Sequence, residues 1–176
     1  LEGRKVTQAK QASLSPRTHI GPTPVHHVSP AERETQQAQD IAELLKSGAR
    51  GEVTAGTLPH EIQHVLGSGT PDIFLSDDTL SKNDPRHPEM FSEYVKLPEL
   101  LQRPLIAQKL AKPLHVRLIS GLEGKLYNLV IKRTRDGQRV YLQSFLRTRT
   151  EEVARMLRQT EPFYRQDFNI SDYDED

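Results

Sequence analysis

The chain has 176 residues, 24 Lys+Arg, 24 Asp+Glu, 7 His and no Cys, so its formal charge is zero. Its length suits one domain with appendages, and the missing cysteines exclude a disulfide scaffold, a thiol nucleophile and any Cys-ligated metal. Hydrophobic residues make up 35%, below the roughly 45–50% of globular chains, so part of the sequence is expected to stay outside a packed core.

Neutrality argues against a nucleic-acid binder only while the chain is taken whole. Residues 1–100 carry a net −4, residues 101–160 a net +9 and residues 161–176 a net −5. The zero is a cancellation, and an asymmetry of this size suggests an anionic partner for the middle block. Apolar runs are short, as at Leu129-Val130-Ile131, so nothing in the sequence reads as a membrane span. The chain begins at Leu1 without a signal-peptide pattern and reads as the C-terminal part of a longer or processed polypeptide.

Residues 1–28 are rich in Pro, Thr, Ser, Gln and basic residues without apolar periodicity, which predicts an arm or linker. Residues 29–57 read as a helix followed by a linker. Ser29-Pro30-Ala31-Glu32 is a helix start, with a capping serine, proline in the first turn and an acid at the positive helix end. Ile41, Leu44 and Leu45 form its apolar stripe and Gly48 its stop, while Thr35 to Gln39 are polar all round and are expected to project. A short helix is predicted from about Thr57-Leu58-Pro59-His60 to Gly67, with Ile62, Val65 and Leu66 inward. Ile73-Phe74-Leu75 reads as a short buried strand, and Asp77 to Pro88 as polar, turn-rich chain. Helices are predicted from about Pro88 to Lys96 and from Pro98 to Gln102.

Three strands are predicted next: His115 to Ser120, Leu126 to Arg133 and Arg139 to Phe145. Gly121…Gly124 and Asp136-Gly137 supply the turns. Thr148-x-x-Glu151 has the form of a capping box before a closing helix with Val153, Met156 and Leu157 inward. Helices first, then an antiparallel meander, then a helix give an α+β fold class.

Alternation assigns the strand faces. In the third strand Val140, Leu142 and Leu146 fall on one face, interrupted by Ser144. Arg139, Tyr141, Gln143, Phe145 and Arg147 fall on the other. His115 and Arg117 join that second face opposite Val116 and Leu118, and Asn128 and Lys132 join it opposite Tyr127, Leu129 and Ile131. Cations, a histidine, an amide and aromatic rings on one face are equipped to hold a phosphodiester. The same alternation also arises in any sheet with one wet face.

His60-Glu61-Ile62-Gln63-His64 matches the zinc-protease pattern H-E-x-x-H. Two histidines four apart share a helix face and can ligate zinc, with Glu61 acting on a bound water. Pro59 and Gly67 leave the helix only about two turns, and Thr70 stands where a third histidine would be. Zinc is therefore the alternative cofactor to none.

The run Pro71-Asp72-Ile73-Phe74-Leu75-Ser76-Asp77-Asp78-Thr79-Leu80-Ser81-Lys82, then His87-Pro88-Glu89, then Tyr94 and Leu97-Pro98-Glu99-Leu100-Leu101, carries a resemblance. It resembles the phage-associated nuclease-like domains grouped with the Barnase–EndoU–Colicin–RelE (BECR) superfamily, over roughly residues 58–160. The resemblance implies helices packed on a curved antiparallel sheet and metal-independent RNA cleavage by a phage or mobile-element toxin module, with RNA as partner. Some similar domains act as virion parts, so a non-catalytic assembly protein is the competing reading, and a zinc hydrolase the third. The setting implied is a bacterial host's cytoplasm or a phage particle.

The motif match carries over Lys82 and His87. His87 and His115 are expected as the proton pair, Arg117, Lys132, Arg133 and Arg147 as phosphate ligands, and Tyr141 and Ser144 as orienting donors. No Asp or Glu is expected on that face, and the acidic tail lies outside the pattern. Residues 161–176 interleave acids with Phe163, Tyr164, Phe168, Ile170 and Tyr173. They read as a frayed terminus, as a docking peptide for an immunity or virion protein, or as a cover over the basic face.

Overall fold

The computed structural model describes residues 28–173 apart from Ala49 and Asp84. The expected arm over residues 1–28 lies almost wholly outside the described residues. The chain divides into two units, residues 1–33 and residues 34–176. In the first, the Ser29 hydroxyl accepts from the Glu32 amide and the Glu32 carboxylate accepts from the Ser29 amide, both at 3.1 Å. This reciprocal cap opens α1 (Pro30–Ser47).

The second unit is α+β. After α1 come β1 (Glu52–Thr57), α2 (His60–Leu66), β2 (Asp72–Ser76), α3 (Asp77–Asn83), a 3-10 segment (Pro88–Lys96) and α4 (Leu97–Gln102). Then follow β3 (Ile106–Lys109), β4 (His115–Leu122), β5 (Lys125–Arg133), β6 (Val140–Thr148), α5 (Thr150–Gln159), β7 (Tyr164–Arg165) and a 3-10 turn (Ile170–Asp172). One seven-stranded sheet has the order β1-β2-β6-β5-β4-β3-β7, antiparallel except where β2 meets β6. Glu123 and Gly124 at φ 54° and 76° close the β4–β5 hairpin, the two left-handed residues that a two-residue turn of matching twist requires.

The sheet separates two cores. Ile73, Leu75, Val116, Leu118, Tyr127, Leu129, Ile131, Val140, Leu142 and Phe145 form its inner face, buried under Ile41 and Leu44 of α1, Ile62 and Leu66 of α2, Met90 and Tyr94, and Leu100 and Leu101 of α4. Gly56 in β1 is what lets α4 approach, since a Cβ there would lie 2.8 Å from the Leu101 Cβ. On the outer face, Val153 and Met156 of α5 pack on Ile106, Ile119 and Leu126, with Phe168, Ile170 and Tyr173 beside them. The second core covers only one end of that face.

Several expectations are corrected. Residues 52–57 are not linker but edge strand β1, paired with β2. The polar run after Ser76 is helical over α3, because the Ser76 hydroxyl accepts from the Thr79 amide at 3.3 Å while Asp77 and Asp78 occupy the first turn. The Pro88–Lys96 segment is 3-10. The polar half of α1 does not project: Gln37 is buried with its amide 3.2 Å from the Thr57 hydroxyl, and Glu34 makes a forked pair with Arg103 at 2.9 and 3.0 Å. Thr148 does not cap α5, since it is the last residue of β6, and Arg149 stands at the helix start without a side-chain cap.

The tail is part of the fold. Tyr164 pairs with Ala107 and Arg165 with Ile106, adding β7 to the sheet edge. Tyr173 lies against Gly121, where any Cβ would clash with its ring. The aromatics expected to fray or to fill a partner's groove are packed on this chain's own sheet.

Candidate active site on the outer face

Registers across four strands bring outward side chains into one row. Phe74 pairs with Tyr141, Tyr141 with Lys132, and Lys132 with His115. The row lies beyond the residues that α5 covers and borders two adjoining hollows, both lined by Tyr141 and Gln143. One, of about 500 Å³, is lined by Lys112, His115, Lys132 and Arg135. The other, of about 400 Å³, is lined by Glu52, Ser76, Asp77, Asp78, Thr79 and Lys82. The cleft thus has a basic half and a mixed, mostly acidic half, with Tyr141 between them.

His115 is held tightly. It is 8% exposed, and its Nδ1 lies 2.8 Å from the Pro113 carbonyl oxygen. A carbonyl only accepts, so Nδ1 carries the proton and donates it, leaving Nε2 as the basic nitrogen. The preceding residue, Leu114, has φ 68°, a left-handed conformation costing a side-chain-bearing residue about 1–2 kcal/mol. That strain sits directly beside the histidine and within the basic half of the cleft.

On the other side, the Tyr141 hydroxyl donates to Glu52 at 3.0 Å, and Arg139 pairs with the same carboxylate. The Arg139 guanidinium lies 4.4 Å from the Phe74 ring centroid, and the Phe74 and Tyr141 rings are 6.1 Å apart. Glu52 overturns the expectation that the face lacks an acid. It escaped notice because β1 was not read as a strand; Arg139 and Gln143 were assigned to this face by alternation but not singled out.

The structure brings Lys82, His115, Lys132 and Tyr141 to one cleft and places Arg117 and Ser144 on the same face, in the next row. It does not bring the others. Arg147 is on the inner side, paired with Tyr127 and with its guanidinium 5.8 Å from that ring's centroid. The cause is a bulge: the register shifts between Val130 and Ile131, leaving Gln143 as an extra residue, so alternation reverses after it. The same reversal buries Phe145 and turns Leu146 outward. Arg133 lies against Gly67 and Gly137 and donates to the carbonyls of Thr134 and Arg135 at 3.2 and 3.1 Å.

His87 lines neither half of the cleft. It precedes the 3-10 segment that buries Met90 and Tyr94 in the inner core, and its ring is 3.4 Å from Glu89. The expected pair of His87 with His115 is therefore not assembled. His60 and His64 stand on α2 with ring centroids 6.3 Å apart, and no group of three His, Cys, Asp or Glu suited to a metal occurs among the described residues.

A second polar group lies on the inner side. The Tyr127 hydroxyl donates to Glu93 at 2.6 Å, and Lys96 reaches Glu93 at 3.2 Å. Burial pushes the Glu93 carboxyl up, but hydrogen bonds from Tyr127 and Lys96 and the charges of Lys96 and Arg147 outweigh it and hold it below the usual range. Burial, then the bond to Glu93, pushes the Tyr127 phenol up. This network ties the 3-10 segment to the sheet.

Among the described residues no helix is long and apolar enough to cross a membrane. Comparison with family models, curated proteins and solved structures found no match for the chain.

Proposed function

We propose that the chain is a metal-independent ribonuclease of phage or mobile-element origin, acting on single-stranded RNA at the outer-face cleft. The observation that carries this reading is the row Phe74–Tyr141–Lys132–His115, a stacking ring, a hydroxyl, a cation and a tautomer-fixed histidine side by side. His115 Nε2 takes the proton of the ribose 2′-hydroxyl as its oxygen attacks phosphorus. The bond from phosphorus to the 5′-oxygen breaks, and that oxygen takes the proton of the Tyr141 hydroxyl, which leaves Glu52 to donate to it. Lys132 offsets charge on the phosphoryl oxygens, and exchange with water returns the two side chains to their starting states. Phe74 offers a ring face to an unpaired base.

The expected result is RNA degradation in EDTA that falls roughly 10²–10⁴-fold in His115→Gln, while a 2′-deoxy strand resists cleavage. His87→Ala and Arg147→Ala should retain activity, since both side chains stand outside the cleft. Equal cleavage by His115→Gln, or none of any RNA by the folded wild type, overturns the proposal. In the second case a non-catalytic virion or assembly protein is the better account, a reading supported by the position of His87 outside the cleft although it belongs to the matched motif.

A further inference from the structure

The outer face carries a second cationic group beyond the row that the ribonuclease reading uses. The next outward residue along β4 after His115 is Arg117, roughly 6.7 Å further along the strand. It pairs with Val130 on one side and Gln108 on the other, and Ser144 follows Val130 in the same row. Arg117 is half-buried, its Nε is buried without a hydrogen-bond partner, and no carboxylate offsets its charge among the described residues.

α5 brings another cation to the same place. The Gln108 amide, beside Arg117, donates to the carbonyls of Met156 and Thr160 at 3.1 and 2.8 Å. Val153 and Met156 anchor the helix on Ile106 and Ile119. Arg155, adjoining Met156, pairs with Glu152 and reaches Gln159 on its own helix, and its positive charge acts on Arg117. The Asn128 carbonyl oxygen, one row further on, is also buried without a partner. Glu152 offsets the charge of Arg155, so of the two guanidinium groups it is the part-desolvated Arg117 that lacks an anion, and an anion beside it is drawn by both.

We propose that Arg117 and Arg155 form a phosphate subsite separate from the His115–Lys132–Tyr141 row. It takes the adjoining phosphate of a single-stranded nucleic acid whose first phosphate lies in that row. The identity of the ligand rests on the ribonuclease reading; the subsite rests on the two arginines. The step between the rows is of the order of one nucleotide of an extended strand, and the planar guanidinium fork suits phosphate oxygens. The substrate strand then runs from the open cleft toward α5, along β4.

Binding of 2′-deoxy oligonucleotides, which lack the attacking hydroxyl, tests this without turnover. A dinucleotide with one phosphate is compared with trinucleotides extended by one phosphate on the 5′ or the 3′ side. Wild type should gain about tenfold in affinity from one of the two extensions, the scale of one charge-assisted contact. Arg155→Gln, an exposed helix position where glutamine is well tolerated, should erase most of that gain, as should Arg117→Gln. Melting curves matching wild type establish that both variants fold.

If neither extension helps wild type, or if the gain survives in both folded variants, the subsite is wrong. Wild type that shows the Arg155-dependent gain but cleaves no RNA keeps the subsite and loses the ribonuclease reading. Cleavage that depends on His115, with no gain from either extension, keeps that reading and loses the subsite.

Discussion

The two faces of the sheet are built by the same alternation and do different things. The inner face is a continuous buried layer, with Tyr127, Leu129, Ile131, Leu142 and Phe145 all at most 1% exposed under a layer of helices. The outer face is covered only where α5 and the tail sit on Ile106, Ile119 and Leu126. Its other end is left open with His115, Lys132, Tyr141 and Glu52 around the cleft. An antiparallel sheet can leave part of one face to water. The half-covered face leaves the cleft open on a rigid support, because every cleft residue on β4, β5 and β6 is fixed from behind by a packed neighbour in its own strand.

The sharpest way to break this contrast is on the inner side. Phe145 is 1% exposed, 5.2 Å edge-on from Tyr94 and 5.6 Å stacked from Tyr127. Phe145→Ala should cost about 3–5 kcal/mol in denaturant unfolding. A loss under 1 kcal/mol would mean that this face is not the main core.

Legibility of the sequence divided along the same line. Strands β4 and β5 were readable because apolar residues run from Val116 to Ile119 and from Leu126 to Ile131, interrupted only by Arg117 and Asn128, and the turns carry glycine where positive φ is needed; their faces follow from position along the strand because the two pair without a register shift. The third strand was readable only as far as its bulge, since a one-residue insertion leaves no compositional mark and silently inverts Phe145 and Arg147. Strands β1, β3 and β7 were missed: β3 and β7 have four and two residues, too few for periodicity to register, and the six of β1 carry Gly56 and two threonines in place of an apolar alternation. Half of the site was missed with them, because Glu52 reaches Tyr141 only through β1. His87 failed for a different reason. Its motif fixes a turn into the 3-10 segment, and proximity in sequence to Lys82 did not become proximity in the cleft.

A gentler comparison sets Lys132 against Arg147, two cations that the sequence treats alike. Lys132→Ala should weaken single-stranded RNA binding and reduce the slope of log affinity against log salt by about 0.7, the value for one phosphate contact. Arg147→Ala should leave both unchanged and instead lower Tm, since its guanidinium lies over Tyr127 and its charge supports Glu93. Equal salt slopes in the two variants would erase the distinction between the faces.

The smallest effect concerns pH. Because Glu93 is held below the ordinary carboxylate range in the folded chain, its contribution to stability is fully present above its unfolded value, about 4.3. That contribution is lost as pH falls through the lower folded value. Tyr127 and Lys96 are both raised, so their contributions hold below their unfolded values and fade as pH rises through the folded ones. The network is therefore complete across neutral pH and eroded from both sides. Glu93→Gln keeps the size of the side chain but removes its titration. The Tm gap between wild type and Glu93→Gln should be widest near neutrality, begin to close as pH falls below the unfolded value of about 4.3, and vanish once pH has passed the lower folded value. A gap that stays constant down to that pH would mean that the carboxylate charge plays no part, and that the Tyr127–Glu93 contact holds the 3-10 segment by shape alone.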